Sequence, residues 1–420
     1  MATATTISAV PGSRTAAGRR RNDPTPTLFP NVPDHRDTGQ AALPPPGSRP
    51  PRVGIARLAA TSPRADAKRG TEYFLLPVRS VLNRCNSERV PFRWTVNPYR
   101  GCEFGCLYCY ARYTHEYREL DGAEFERKIY AKQNPGLLLA RDLSRMKVSG
   151  EHIAIGTATD PYQPAERDFQ VTRAILEQMA ARTGLSISIT TKSDQILRDL
   201  DLLRHVSAHS TVYVNFSITT PRPRLARMLE PRAPRPDLRL AAMRELRRAG
   251  IAAGVFAMPV LPGLTDRESD LDGLARAARD AGAQWFTADT VFLMPSALKQ
   301  LMPFLEMKFP KLARRYREWF SHSGHAPEGY RREISARVED LRRKYGLAAR
   351  PAPSARPDQQ GPQLGFWVAL GSATATPRSA AGACAAQSSC YGTMMRGSSF
   401  WIPPASRGNC ARRNSRNPRV

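Results

Sequence analysis

The sequence predicts an α/β chain: a partial (β/α)6 barrel of TIM-like type with C-terminal helices, set between two disordered tails. Three observations carry this. Six short β-like runs recur through the middle of the chain, each followed by an amphipathic stretch with apolar residues at helical spacing. Glycines stand where helices should stop and strands begin. At both ends this periodicity disappears and Pro, Ser, Arg and small residues take over.

Residues 1–70 are rich in Pro, Gly, Ser, Thr and Arg and almost free of periodic apolar side chains, so burial there cannot offset the entropy of ordering the chain. The same loss of pattern sets in again from about Gln359 to Val420. The predicted division is a basic disordered segment over 1–70, one folded domain over 71–350 and a low-complexity tail over 351–420. The central length suits a single α/β barrel.

In order, the predicted strands are WTVNPYR (94–100), HIAIGTA (152–158), SISITTK (186–192), VYVNFSI (212–218), AGVFAMPV (253–260) and WFTADTVFL (285–293). Between them lie VTRAILEQMAAR, QILRDLDLLRHV, DLRLAAMRELRRAG and LDGLARAARDAG; the last two end at Gly250 and Gly282, shortly before a strand. Strict alternation of strand and helix implies a parallel sheet. The first strand is not followed by a Gly-x-Gly-x-x-Gly turn, and nearly every strand ends in polar residues, which favours a barrel with its site at the carboxyl rim over an open doubly wound sheet. Two further helices follow, PSALKQLMPFLEMKFPKLARRYREWFSHS and PEGYRREISARVEDLRRKYGL, placed to cover an open side of the barrel or to pack outside it.

The formal charge of +26 invites a nucleic-acid partner, but the first 70 and last 70 residues carry +7 each, leaving +12 for the central domain. No stretch reaches the 18–20 apolar residues, roughly, of a membrane span, and no membrane partner is expected. The arginines at 19–21 are not followed by an apolar segment, so an export signal is unsupported; the Arg-rich, acid-poor start matches an organelle transit peptide in composition but lacks its amphipathic periodicity. Of seven cysteines three are tightly clustered, which argues against a disulfide framework and for a reducing, cytoplasmic setting.

That cluster, NPYRGCEFGCLYCYAR over 97–112, sets Cys102, Cys106 and Cys109 in a loop after the first strand. Three thiolates are one short of a closed structural zinc site or an ordinary iron–sulfur cluster. His115 is available as a fourth ligand for zinc, although zinc sites of that class usually arrange their ligands in two pairs. Cys85 reads as structural, and Cys384, Cys390 and Cys410 show no spacing of a second cluster.

The spacing C-x3-C-x-aromatic-C, with Tyr108 in the aromatic position, closely resembles the cluster loop of the radical S-adenosylmethionine superfamily. The longer run PFRWTVNPYRGCEFGCLYCYARYTHEY is similar to the subgroup related to spore photoproduct lyase, and the similarity spans about 73–345. The resemblance implies a [4Fe–4S] cluster on the three cysteines, with its fourth iron open to the amino and carboxylate groups of S-adenosylmethionine. It also implies reductive cleavage to methionine and a 5′-deoxyadenosyl radical that abstracts hydrogen, and a protein reductant of the ferredoxin or flavodoxin type. Residue by residue it places Lys192 near the cofactor's carboxylate and Thr157, Thr159 and Asp160 near its amino group. Ser217 falls by its ribose or carboxylate and Tyr108 by its adenine, with PVLPG (259–263) as a second adenine contact. Asn97 and Tyr99 are expected as structural neighbours of the loop. For Asp160 a turn-forming role before Pro161 competes with cofactor binding, and for Lys192 and Ser217 a plain strand-end role does. One departure stands out: the hydrogen-donating cysteine of the lyase falls at Thr157, whose hydroxyl is a poor hydrogen-atom donor. Photoproduct repair is therefore not expected. The substrate class favoured by analogy and by the basic surface is a nucleic-acid base. Two readings compete with the enzyme: an iron–sulfur electron carrier or scaffold that does not cleave the cofactor, and a zinc-stabilised nucleic-acid-binding module.

Overall fold

A computed structural model describes residues 54–350, apart from short breaks at 69, 87–89, 118–119, 146–147, 149 and 322. The folded unit starts earlier than the sequence suggests. Within the stretch expected to be disordered, Gly54–Thr61 is helical and Arg64–Lys68 is a strand. The remainder of that segment, 1–53, and the tail 351–420 lie outside the described residues.

The strands run in chain order β1 (Arg64–Lys68), β2 (Thr71–Leu76), β3 (Leu82–Arg84), β4 (Trp94–Val96), β5 (Tyr99–Arg100), β6 (Lys128–Lys132), β7 (His152–Ile155), β8 (Ser186–Thr191), β9 (Thr211–Ser217), β10 (Ala252–Val260) and β11 (Phe286–Thr290). Each of the six predicted runs contributes a strand to one sheet, in the order β4-β7-β8-β9-β10-β11, every neighbouring pair parallel. β3 adds antiparallel to the outer edge of β4. β3 and β11 are the two ends of the sheet, so the barrel is partial. Its strands are buried along most of their length, as expected for a parallel sheet covered by helices, and Ile153, Ile155, Ile187, Ile189, Val212, Val214 and Val255 form its apolar centre.

The run 94–100 is not one strand. Pro98 has no N–H for a ladder, and the chain parts there. β4 stays in the barrel, while β5 pairs with β6 in a second sheet of order β1-β2-β6-β5. That small sheet, which the sequence pattern does not announce, delivers the chain directly into the cysteine loop.

The barrel helices Val171–Ala180, Leu200–His209, Pro236–Arg248 and Glu268–Asp280 fall where the pattern places them. Gly250 and Gly282 follow the last two in the left-handed conformation of a helix stop. The first predicted C-terminal helix is instead two, Pro295–Lys308 and Pro310–Phe320, because Pro310 forces Phe309 out of the helical region (φ −142°, ψ 59°). Ala297, Leu301, Leu305, Ala313, Tyr316 and Phe320 from this pair share an apolar core with Cys102, Phe104, Cys106 and Tyr108. The two helices therefore wall the cysteine loop. The last helix, Glu328–Tyr345, packs on β11 and on Glu268–Asp280.

His152 at the start of β7 is 5% exposed, its two ring nitrogens each 2.8 Å from a hydroxyl, Ser186 and Ser188. Burial, helped by the charge of Arg350, drives its pKa down to about 3. An unfolded histidine titrates near about 6.5. Between those values the unfolded chain binds a proton that the fold refuses, so stability falls as pH drops through this window, at about 1.4 kcal/mol per pH unit at most. Urea unfolding at pH 7 and pH 4.5 should show a smaller acid loss in His152→Gln than in the wild type.

Candidate metal centre

The loop that carries the three cysteines is held by its backbone from several sides. Gly101 has φ +83°, and a Cβ there would lie 2.6 Å from the Lys128 carbonyl oxygen and 2.8 Å from that of Phe125. Only glycine satisfies both demands. The Cys102 N–H donates to the Phe125 carbonyl (3.0 Å), and the Leu107 N–H to that of Leu229 (3.0 Å). Glu103, 6% exposed, accepts from the Tyr73 hydroxyl (2.8 Å) and the Ala165 N–H (2.7 Å), while its own N–H donates to the Gln163 side chain (2.9 Å). Arg112, fully buried, donates to the Cys106 carbonyl (3.0 Å) and pairs with Glu126 (2.6 Å).

Cys102 and Cys106 are buried, Cys109 is half-buried, and all three are free thiols. Burial pushes Cys106 up to about 12, raises Cys102 well above its ordinary value and raises Cys109. Thiolates in such surroundings need a strong neighbouring cation, and a bound metal supplies one while displacing the protons. Soft thiol ligands from one short loop fit an iron–sulfur cluster. The zinc alternative fares worse. His115 is fully buried, with Nε2 3.0 Å from the Lys128 carbonyl oxygen and its ring edge-on to Phe125. Among the described residues no three His, Cys, Asp or Glu side chains converge on the position of a single metal ion. Cysteines that bind separate irons of one cluster do not need to converge in that way.

The rim residues named from the sequence gather around this loop, with different degrees of freedom. Lys192 donates from Nζ to the Ser217 hydroxyl (2.8 Å), which in turn donates to the Met258 carbonyl (3.0 Å). Burial works to lower the pKa of Lys192, but Glu230 and Cys106 outweigh it and hold the ammonium above its ordinary value. Asp160 is engaged by protein donors: the Thr191 hydroxyl (2.7 Å), the Tyr162 N–H (2.9 Å) and the Lys192 N–H (2.7 Å). This matches the turn-forming alternative. Thr159 donates to the Gly101 carbonyl (2.6 Å), tying the end of the second barrel unit to the cysteine loop. The Thr157 hydroxyl is paired with the Asn97 side chain (2.9 Å), and its carbonyl accepts from the Tyr110 hydroxyl. Asn97 also accepts the Ala158 N–H (2.7 Å), and Tyr99 is buried against Glu166, so both are structural neighbours as expected. Cys85 is buried among Val90, Phe92, Tyr113 and Met294, away from the three clustered thiols in the apolar packing.

Sequence reasoning passed over the pair beneath the loop. Glu230 and Arg239, each 1% exposed, form an ion pair. Glu230 also accepts from the Tyr108 hydroxyl and from Thr219 (2.8 Å). Arg239 donates to the carbonyls of Ser217 (2.8 Å) and Pro234 (2.8 Å). Burial acts to raise the Glu230 pKa, yet Arg239 and Lys192 keep its carboxyl below the usual range. In EPRAPRPDLR Glu230 looks like part of a solvated Arg/Pro loop and Arg239 like a polar position of the helical stretch that follows, and neither carries a signal of burial.

Residues 96–274 match the family model described as the Radical SAM superfamily. Over 306 residues the chain is 37% identical to an uncharacterized protein of Mycobacterium tuberculosis, covering 72% of this chain and 88% of that one. It is 32% identical over 184 residues to an uncharacterized protein of Methanocaldococcus jannaschii, covering 44% and 66% of the two chains. Among solved structures it is similar in fold to spore photoproduct lyase complexed with dinucleoside spore photoproduct. The TM-score there is 0.50 and the identity 17%, over 64% of this chain and 79% of that one.

Because Glu230 is the buried counter-charge of Arg239, its removal should be costly. Glu230→Ala should lose about 3–5 kcal/mol of unfolding free energy in a denaturant titration, while Glu230→Ala/Arg239→Met should recover much of that loss.

Proposed function

The chain belongs to the radical S-adenosylmethionine superfamily, and on that premise we propose that it is a radical enzyme whose Cys102, Cys106 and Cys109 hold a [4Fe–4S] cluster and whose rim binds S-adenosylmethionine. The observation that carries this reading is the loop: three free thiols, two buried and one half-buried, at C-x3-C-x2-C spacing after the first barrel strand, braced by Gly101, Glu103 and Arg112. When bound, the reduced cluster and S-adenosylmethionine supply methionine and a 5′-deoxyadenosyl radical able to abstract hydrogen from the substrate.

The chain's own residues bind, orient and shield. Lys192, its ammonium supported by Ser217, offers a cation for the cofactor's carboxylate. Tyr108 is fixed by Glu230 and Thr219, so its backbone and ring present a set surface for the adenine. Asp160 and Thr159 act one step back, the first by setting the position of Lys192 and the second by pinning Gly101. Thr157 lies at the rim with its hydroxyl held by Asn97. The helices Pro295–Lys308 and Pro310–Phe320 keep water from the loop.

For the substrate we propose a nucleic-acid base. Support comes from the +12 charge of residues 71–350 and from the fold shared with a lyase solved with a dinucleoside photoproduct. A base within a duplex would have to be flipped into the barrel mouth. Repair of that photoproduct is not proposed, because Thr157 stands where a thiol would be required. The electron comes from a protein of the ferredoxin or flavodoxin type. The thiols suit a reducing, cytoplasmic setting, and among the described residues no helix is long and apolar enough to cross a membrane.

Anaerobic reconstitution, reduction with dithionite in the presence of S-adenosylmethionine and chromatography should yield 5′-deoxyadenosine from the wild type and none from Cys106→Ala. A brown, reducible protein that forms none even with oligonucleotide present would favour the electron carrier; a colourless zinc protein would sink the reading. Lys192→Met should keep the brown cluster absorbance yet bind S-adenosylmethionine about tenfold or more weakly by equilibrium dialysis, the effect of one charge-assisted hydrogen bond.

A further inference from the structure

Between β9 and the helix Pro236–Arg248 the chain forms a strap, helix Pro223–Leu229 followed by the turn 230–235. It lies directly on the cysteine loop. The Leu107 N–H donates to the Leu229 carbonyl (3.0 Å), the Arg232 N–H to the Phe104 carbonyl (3.3 Å), and a methyl group on Gly105 would touch the Pro231 ring at 3.6 Å. The opposite side of the strap is exposed and basic: Arg224, Arg227, Arg232 and Arg235 all face solvent, with Met228 at 39% exposure among them. Arg227 and Arg235 line one shallow cleft with Pro223 and Pro234. Among the described residues Arg235 pairs with Asp237 (2.6 Å) and Arg222 with Asp270 (3.0 Å), and Arg232 donates to the Glu126 carbonyl and the Thr71 hydroxyl (3.4 Å each) with its charge acting on Glu103, while Arg224 and Arg227 form no ion pair with a carboxylate. The loop's own acids are turned to other uses, Glu103 to Tyr73 and Ala165 and Glu126 to Arg112.

We propose that this arginine strap, whose backbone is hydrogen-bonded to the cysteine loop, is the docking face for an acidic electron-transfer protein. The proposal rests on the function proposed above. With a cluster held by Cys102, Cys106 and Cys109, one electron would pass from the reduced flavin or iron–sulfur centre of the partner, which is thereby oxidised, to that cluster, which is thereby reduced; no bond to this chain would form or break. Arginine and methionine around an exposed apolar spot are the composition of a protein-binding patch, and short-lived electron-transfer encounters use small interfaces steered by opposite charge. A nucleic acid would also be drawn to arginines, but the strap offers no exposed aromatic platform for bases, and its backbone bonds lead to the cysteine loop.

The probe is flavodoxin, an acidic flavoprotein, with the reconstituted full chain under anaerobic conditions. Calorimetry gives the affinity, and stopped-flow bleaching of the cluster absorbance by reduced flavodoxin gives the rate of electron entry. At low ionic strength Arg224→Glu/Arg227→Glu should weaken binding and slow bleaching about tenfold or more, with a flattened salt dependence, and Arg224→Gln/Arg227→Gln should fall between it and the wild type. Dithionite should bleach all three proteins alike, which shows that the variants fold and load. Wild-type bleaching by flavodoxin in the Glu variant would overturn the proposal. So would loss of binding to a short DNA duplex in that variant with flavodoxin unaffected, which would make the strap a nucleic-acid surface. Arginine-dependent bleaching without any 5′-deoxyadenosine from dithionite-reduced wild type would instead reject the radical reading and leave the docking face standing.

Discussion

The site depends on satisfying the backbone of a short loop that carries three thiols, two of them buried. A loop of eight residues cannot form its own hydrogen-bond ladder, and buried peptide groups left unpaired are costly. The fold meets this by supplying partners from outside. Phe125 accepts from Cys102, Leu229 from Leu107, Gln163 from Glu103, and Arg112 caps the carbonyl of Cys106. These partners come from the small sheet's connection, the fourth barrel unit and the second barrel unit. Without them the cysteines would share a sequence motif but no common place.

Charge is arranged by the same economy. Around the loop Lys192 and Arg239 bring two cations and Glu230 and Asp160 two anions, each engaged by at least one protein hydrogen bond. A chain of contacts runs from Tyr108 through Glu230 and Arg239 to Ser217 and on to Lys192. The aromatic residue of the cysteine loop and the lysine of the opposite rim are thereby set by one buried network, which is how a site built from separate strands keeps a common geometry.

The barrel was readable because its strands bury both faces and so appear as dense Ile and Val runs between amphipathic helices. Where reading failed, the cause was local. The run 94–100 looks continuous, yet Pro98 divides it between two sheets; β5 is two residues long and has no pattern of its own. Pro310 splits a helix whose apolar spacing continues on both sides. At the site, the three cysteines stood out by their spacing, and the structure sets them in one loop. Asp160 was ambiguous between ligand and turn, and its three protein donors could be seen only in three dimensions. Glu230 and Arg239 were hidden because burial of an ion pair depends on what packs over it, and nothing in an arginine- and proline-rich stretch states that in advance.

The helices that wall the cysteine loop, Pro295–Lys308 and Pro310–Phe320, come from the far end of the folded chain, whereas the loop itself comes from its first barrel unit. A ribosome makes the two in that order. For as long as the intervening barrel units take to be synthesised, three closely spaced thiols are without their apolar cover. That interval is when small solutes, oxidants among them, have easiest access to them. The order of the elements along the chain thus makes covering of the thiols a matter of timing, with Pro295–Lys308 and Pro310–Phe320 acting as the step that seals them.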